Sequence, residues 1–139
     1  SVNLLEMVDD DDIFNWERLK STVHAAVCFL DDAITVNKYP LKECKEAALR
    51  TRKIGLGVMG FADALYKMHV KYDSKEGVLW GRKIMEFIRK EAANASEKLG
   101  LQRGNFPAWK GSLFDEEGRS MRNATYWDDE PHRRCVSEP

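Results

Sequence analysis

The sequence has few cysteines, and those it has do not form a recognisable framework. Cys28, Cys44 and Cys135 are far apart, odd in number, and include no C-x-x-C pair. This pattern is not typical of a disulfide-stabilised domain or of a cysteine-rich zinc site. The apolar neighbours of Cys28 predict a buried thiol, and the charged neighbours of Cys44 predict a helix-surface or half-buried one.

Long apolar runs and an excess of either charge are also missing. No stretch is apolar enough to span a bilayer, and no signal-peptide pattern is present. The 22 basic and 23 acidic residues give a net charge of −1, which argues against a general affinity for nucleic acid or for acidic membranes. We therefore expect a cytoplasmic chain of one domain, with neither a nucleic-acid nor a membrane partner.

Apolar residues recur at intervals of three and four, which predicts a mainly α fold. The apolar stripe predicted for the first helix comprises Leu19, Val23, Ala26, Val27, Leu30, Ala33 and Ile34. Pro40 suits the first turn of a helix, Asp73 suits a helix cap, and Gly100 suits a helix end. Short strands are predicted near residues 2–8 and 52–56. The four principal helices are predicted near residues 14–37, 41–50, 58–69 and 74–99.

Several groups of residues could in principle bind a metal. Asp9–Asp12 are four consecutive acids, but no histidine or further ligand is spaced nearby, which favours a solvated loop before the first helix. His24 lies beside the apolar stripe and is better explained as a hydrogen-bonded histidine at the core edge. His132 and Cys135 are two possible ligands and do not make a site. The sequence therefore predicts no metal site.

Gly55, Gly57 and Gly60 form a G-x-G-x-x-G pattern in the middle of the chain. In dinucleotide-binding proteins this pattern needs a strand before it, a helix after it and a second parallel strand. The sequence after Tyr72 predicts another helix instead of that strand. The alternative is that the glycines serve backbone geometry, in which case Gly57→Val destabilises the fold with or without nucleotide.

The segment around these glycines, TRKIGLGVMGFADAL at residues 51–65, resembles part of the large catalytic chain of ribonucleotide reductases. Its ending is most similar to the adenosylcobalamin-dependent class. Residues 1–4, 103–107 and 121–125 resemble other family segments, in family order. The resemblance extends from residue 1 to about 125 and implies a fragment of the reductase α/β barrel region. Residues 126–139 do not match, and we expect them to form a disordered tail.

The resemblance implies a radical reduction of ribonucleotides to deoxyribonucleotides, with adenosylcobalamin in the parent enzyme. It also implies that the family's radical loop precedes Ser1 and that its phosphate loop follows Thr125, so no catalytic residue is assigned. Ser1, Asn3 and Asn123 would lie near the substrate in the parent. We expect the chain alone to be inactive and to need no cofactor, and whether it acts as an enzyme stays open.

Three origins are compatible with the sequence: a split-gene product, a truncated copy or a reused helical module. The alternative function is a small helical module that binds a nucleotide or a protein through the Gly55–Gly60 turn. Possible partners are the remaining reductase segments. The first helix and the helix after Gly60 carry more apolar surface than four helices can cover, which predicts self-association as a symmetric dimer through one of them.

Overall fold

A computed structural model describes residues 1–112 and 114–115, and it is mainly α. This confirms the predicted fold class of four principal helices with short strands. The described residues form two compact units, one of residues 1–26 and 55–92 and the other of residues 27–54, 93–112 and 114–115. In chain order the elements are β1 (Val2–Asn3), α1 (Trp16–Val36), α2 (Lys42–Thr51), β2 (Val58–Met59), α3 (Phe61–Lys67) and α4 (Lys75–Arg103).

The two strands pair in parallel, with Val2 opposite Val58. The backbone N–H of Val2 donates to the carbonyl of Gly57, and that of Leu4 donates to Met59, both at 2.8 Å. Parallel neighbours need a long connection, which α1 and α2 provide in sequence. The strand predicted over residues 2–8 is shorter than expected, because the chain turns into a 3₁₀ helix at Leu5–Met7.

The strand predicted near residues 52–56 is wrong. Arg52 adopts a left-handed conformation, with φ of 41°, and ends α2. The extended residues come later, at β2, inside the segment that we assigned to the third helix. Helix α3 therefore begins at Phe61 instead of residue 58, after Gly60 turns the chain with φ of 69°.

Helix α1 begins two residues later than predicted, because Phe14 still pairs with Val8 in an isolated bridge. Asn15 caps the helix: its side-chain oxygen accepts the N–H of Arg18 at 2.9 Å. Its amide nitrogen donates to Asp9 at 3.0 Å, which ties the acidic loop to the helix start. Pro40 lies outside α2, which begins at Lys42.

Helix α4 differs from its prediction at both ends. Its cap is Ser74, whose hydroxyl oxygen accepts the N–H of Gly77 at 3.0 Å, so Asp73 does not fill that role. The helix continues through Gly100 to Arg103 and ends before Gly104, where φ is 91°. Glycine inside a helix costs about 1 kcal/mol relative to alanine. Burial of Leu99, 3% exposed, opposes that cost.

The core of the first unit is apolar. Three residues of the stripe predicted for α1, Leu19, Val23 and Val27, are buried, whereas Ala26, Leu30, Ala33 and Ile34 are half-buried. Leu65 of α3 and Ile84 of α4 are also enclosed. Aromatic rings extend this core at the helix starts, where Phe14 lies 4.7 Å from Trp16 between ring centroids. Among residues 1–112 and 114–115, no helix combines the length and apolar character of a membrane span.

Candidate functional site

Four of the residues singled out in the sequence meet where β1 and β2 pair. A Cβ atom built on Gly57 would lie 3.5 Å from the Ser1 hydroxyl oxygen. A Cβ on Gly60 would overlap the Asn3 side-chain oxygen and would lie 3.4 Å from the Leu5 nitrogen. The structure therefore brings Ser1, Asn3, Gly57 and Gly60 together. We call these four residues the strand–turn site.

One further predicted site residue, Gly55, is not part of this group. No atom lies within 4 Å of a Cβ built on Gly55, so a side chain at this position would extend into open space. Asn123 lies outside the described residues.

We predicted that the backbone geometry requires glycine at position 57, but the structure places this requirement at Gly60. Gly60 has a positive φ of 69°, and any side chain there would collide with Asn3. Gly57 has no such φ, and its added Cβ would make only an ordinary contact. Glycine is thus required where β2 turns into α3, because only glycine combines this angle with so close a neighbour.

The dinucleotide-binding fingerprint lacks its structural context. Strand β2 lies between Gly57 and Gly60, whereas the fingerprint places the strand before the first glycine. The helix that follows, α3, has only 7 residues. The glycine pattern therefore belongs to the strand–turn geometry.

The polar side chains of the strand–turn site can orient a ligand by hydrogen bonding. The Asn3 side-chain oxygen accepts the N–H of Leu5 at 3.3 Å, and Ser1 carries an exposed hydroxyl. None of the four side chains is an acid, a base or a thiol. The site alone can supply hydrogen bonds and a close backbone surface.

A buried ion pair in the second unit escaped the sequence analysis. Arg52, only 1% exposed, donates from Nε to a carboxylate oxygen of Asp31 at 2.9 Å, and Asp31 is itself fully buried. The Arg52 Nη2 atom also donates to the Asp31 carbonyl at 2.9 Å and to the Thr35 hydroxyl at 3.1 Å. Its Nη1 atom is buried and has no acceptor among the described residues.

Arg103, at the end of α4, completes this group. Its Nη1 donates to the second carboxylate oxygen of Asp31 at 3.0 Å and to Asp32 at 2.6 Å. The hydrogen bond to Asp32 is the main reason that the pKa of the Arg103 guanidinium lies above its ordinary value. We call Asp31, Asp32, Arg52 and Arg103 the charge cluster. The only indication of the charge cluster in the sequence was that Arg52 lies within residues 51–65, the segment that resembles the reductase family.

His24 and Asp12, two of the candidate metal ligands, make ordinary polar contacts, and His132 and Cys135 lie outside the described residues. His24 Nε2 lies 2.8 Å from Glu91, which confirms a hydrogen-bonded histidine at the core edge. In the acidic loop, Asp12 lies 3.2 Å from His69. No group of three or more His, Cys, Asp or Glu side chains able to hold a metal ion occurs within residues 1–112 and 114–115.

The chain matches a known family over almost its whole length. The family model described as "Ribonucleotide reductase, barrel domain" matches residues 1–134, which extends beyond the resemblance expected to residue 125. The tail predicted at residues 126–139 lies outside the described residues.

Named relatives agree with this match. The chain is 48% identical over 125 residues to the "Vitamin B12-dependent ribonucleoside-diphosphate reductase" of Thermoplasma acidophilum, covering 90% of this chain and 16% of that protein. A protein of the same name from Mycobacterium tuberculosis is 45% identical, with 89% and 18% covered. The "Ribonucleoside-diphosphate reductase subunit alpha" of Chlamydia muridarum is also 45% identical, with 83% and 11% covered. The chain thus spans less than a fifth of each relative.

Proposed function

The chain belongs to the ribonucleotide reductase family, and from this membership we propose that it forms part of the barrel domain of a catalytic chain. The proposed reaction of the whole enzyme is the reduction of ribonucleoside diphosphates to deoxyribonucleotides in the cytoplasm. The observation that carries this proposal is the continuous family match over residues 1–134. The names of the Thermoplasma acidophilum and Mycobacterium tuberculosis relatives favour the adenosylcobalamin-dependent class and a diphosphate substrate.

Within that enzyme, Ser1 and Asn3 lie beside the substrate, and so does Asn123. The geometry that supports this role is the strand–turn site, where Gly60 lets the backbone approach Asn3 closely. A side chain held this tightly has a fixed direction, which is what an orienting hydrogen bond requires. These residues position the ribonucleotide, and the bond-breaking groups come from other parts of the enzyme.

Adenosylcobalamin supplies the radical that starts the reaction in this class. The surface pocket beside Trp16 and Phe87 has a volume of about 390 Å³ and opens to solvent, which is too small to enclose a corrin with its nucleotide. We therefore assign no step of the cofactor chemistry to residues 1–112 and 114–115.

The 139-residue chain should not reduce ribonucleotides by itself. The test is an assay of the purified chain with adenosylcobalamin, ribonucleoside di- and triphosphates and a dithiol. We expect no deoxyribonucleotide above a no-protein control. Turnover that disappears when Cys28 or Cys44 is changed to serine would contradict this assignment, because it would place the redox chemistry within the chain.

The proposed partners are the remaining reductase segments and, for the isolated chain, a second copy. The buried stripe of α1 does not favour self-association, but other apolar side chains remain in water. Phe29 and Val36 of α1 are 72% and 76% exposed, and Tyr66 of α3 is 84% exposed. Sedimentation at micromolar concentration should detect a dimer that Phe29→Ser or Tyr66→Ser weakens. A 16 kDa monomer at every concentration would exclude self-association.

A further inference from the structure

An aromatic surface at the start of α1 has no role in the proposed reaction. Trp16 stacks on Trp80 of α4, with ring planes 7° apart and centroids 6.1 Å apart. Phe87, two turns further along α4, meets Trp16 edge to face at 4.9 Å. Trp16 and Phe87 are half-buried and line the pocket of about 390 Å³ together with Lys83, Glu86 and Lys90. We call these five lining residues the aromatic pocket.

The aromatic pocket lies between two positive charges. The Lys83 ammonium sits 4.9 Å from the Trp16 centroid and 5.1 Å from that of Trp80. Lys90 lies seven residues further along α4, which at 1.5 Å per residue separates the two backbone positions by about 10 Å on one face. Glu86 does not cancel these charges, because it accepts a hydrogen bond from Arg82 at 2.8 Å.

The exposed surface of α4 around the aromatic pocket also carries a net positive charge. Between residues 75 and 90, the exposed charged side chains of α4 comprise five basic and two acidic residues, although the whole chain has a net charge of −1. This local excess attracts an anionic partner at short range. The apolar floor needs a side chain that can be buried, since opposite charges alone would leave the rings in water.

We propose that the aromatic pocket is a docking site for an acidic peptide segment of a partner protein, with an aromatic anchor flanked by carboxylates. The anchor packs on Trp16 and Phe87, and the carboxylates pair with Lys83 and Lys90. A pocket of this size accommodates one large side chain, and the two ammonium groups fix the charges beside it. A nucleic acid fits less well, because its affinity depends on basic groups along successive phosphates and the chain as a whole is slightly acidic.

The test is an NMR titration of the isotope-labelled chain with a synthetic peptide that carries a phenylalanine between two pairs of glutamates. At about 50 mM salt, where charge pairs are weakly screened, we expect saturable shifts of the amides of Lys83, Phe87 and Lys90. Lys90→Glu should weaken binding by about tenfold, as expected for one reversed interfacial charge. Lys98→Glu, at an exposed position further along the same helix, is the matched control and should leave affinity unchanged.

Three outcomes would overturn the proposal. One is the absence of saturable shifts at millimolar peptide. A second is equal binding of a peptide with alanine in place of phenylalanine, which would show that charge acts without the aromatic pocket. The third is tighter binding of a single-stranded oligonucleotide at the same amides. Binding of the phenylalanine peptide that is about tenfold weaker in Lys90→Glu and unchanged in Lys98→Glu supports the proposal. This outcome is independent of whether the chain functions in a reductase.

Discussion

The two units of this chain are stabilised by different chemistry. In the first, side chains such as Leu19, Leu65 and Ile84 are enclosed by other apolar groups. In the second, the largest fully buried side chain is Arg52, held against Asp31. Apolar burial tolerates small shifts, because it has no preferred direction. A buried ion pair does not, because removing either partner leaves a charge out of water and unpaired.

The largest expected effect comes from breaking the charge cluster. Arg52→Met keeps an unbranched side chain but removes the guanidinium and its charge, leaving Asp31 with Arg103 alone. We expect a loss of about 3 kcal/mol in the free energy of unfolding, at the lower end of the range for a broken buried pair. Urea denaturation measures this loss, and hydrogen exchange should place it in the amides of the second unit.

The matched control for this variant is Lys53→Met, at the next position in sequence, where the side chain is exposed. Exposed substitutions of this kind stay within about 0.5 kcal/mol. If Arg52→Met cost no more than Lys53→Met, the charge cluster would not stabilise the second unit, and the contrast between the units would be lost.

An intermediate effect is expected at the strand–turn site. Gly60→Ala forces alanine into a left-handed conformation, which costs about 1–2 kcal/mol, and adds a collision with Asn3. We expect a total loss of about 2–3 kcal/mol by urea denaturation. Gly55→Ala is the control and should be near neutral, because nothing lies within 4 Å of the added carbon.

The collision can be separated from the backbone strain. Combining Gly60→Ala with Asn3→Ala removes the oxygen that the new carbon would strike. The double variant should be more stable than the sum of the two single losses predicts, by about 1 kcal/mol. Strict additivity would show that Asn3 does not limit the space beside Gly60.

The smallest effect is expected at the start of α4. Ser74→Ala removes the hydroxyl that accepts the Gly77 N–H, and loss of such a cap costs about 1 kcal/mol. Ser21→Ala is the control, because it removes an exposed hydroxyl from inside α1 without uncapping a helix. Equal stability of the two variants in thermal melts would mean that Ser74 does not cap α4.

The sequence predicted burial correctly where apolar residues recur at a regular helical spacing. The stripe of Leu19, Val23 and Val27 was predicted from its spacing and is buried, and all four helices exist. Helix ends were less accurate, because they depend on single contacts. Gly100 looked like a stop, but the helix continues to Arg103, whose guanidinium reaches Asp31 and Asp32.

The parts that could not be predicted depend on contacts between residues distant in sequence. Nothing near Arg52 in sequence indicates that Asp31, 21 positions earlier, is buried beside it. In the same way, the position of β2 follows from pairing with Val2 and Asn3, more than fifty residues away. The family resemblance identified the segment but not which of its glycines is indispensable.

The most direct test of the central claim, that the chain is part of a reductase barrel, is a segment exchange. Residues 1–134 would replace the matching segment of the 48% identical reductase, and deoxyribonucleotide formation would be measured with its cofactor and a dithiol. We predict a hybrid with activity within about tenfold of the parent, a barrier change of about 1.4 kcal/mol. The same hybrid carrying Gly60→Ala should be less stable or less active than one carrying Gly55→Ala. A hybrid that folds and binds nucleotide but forms no deoxyribonucleotide would contradict the account.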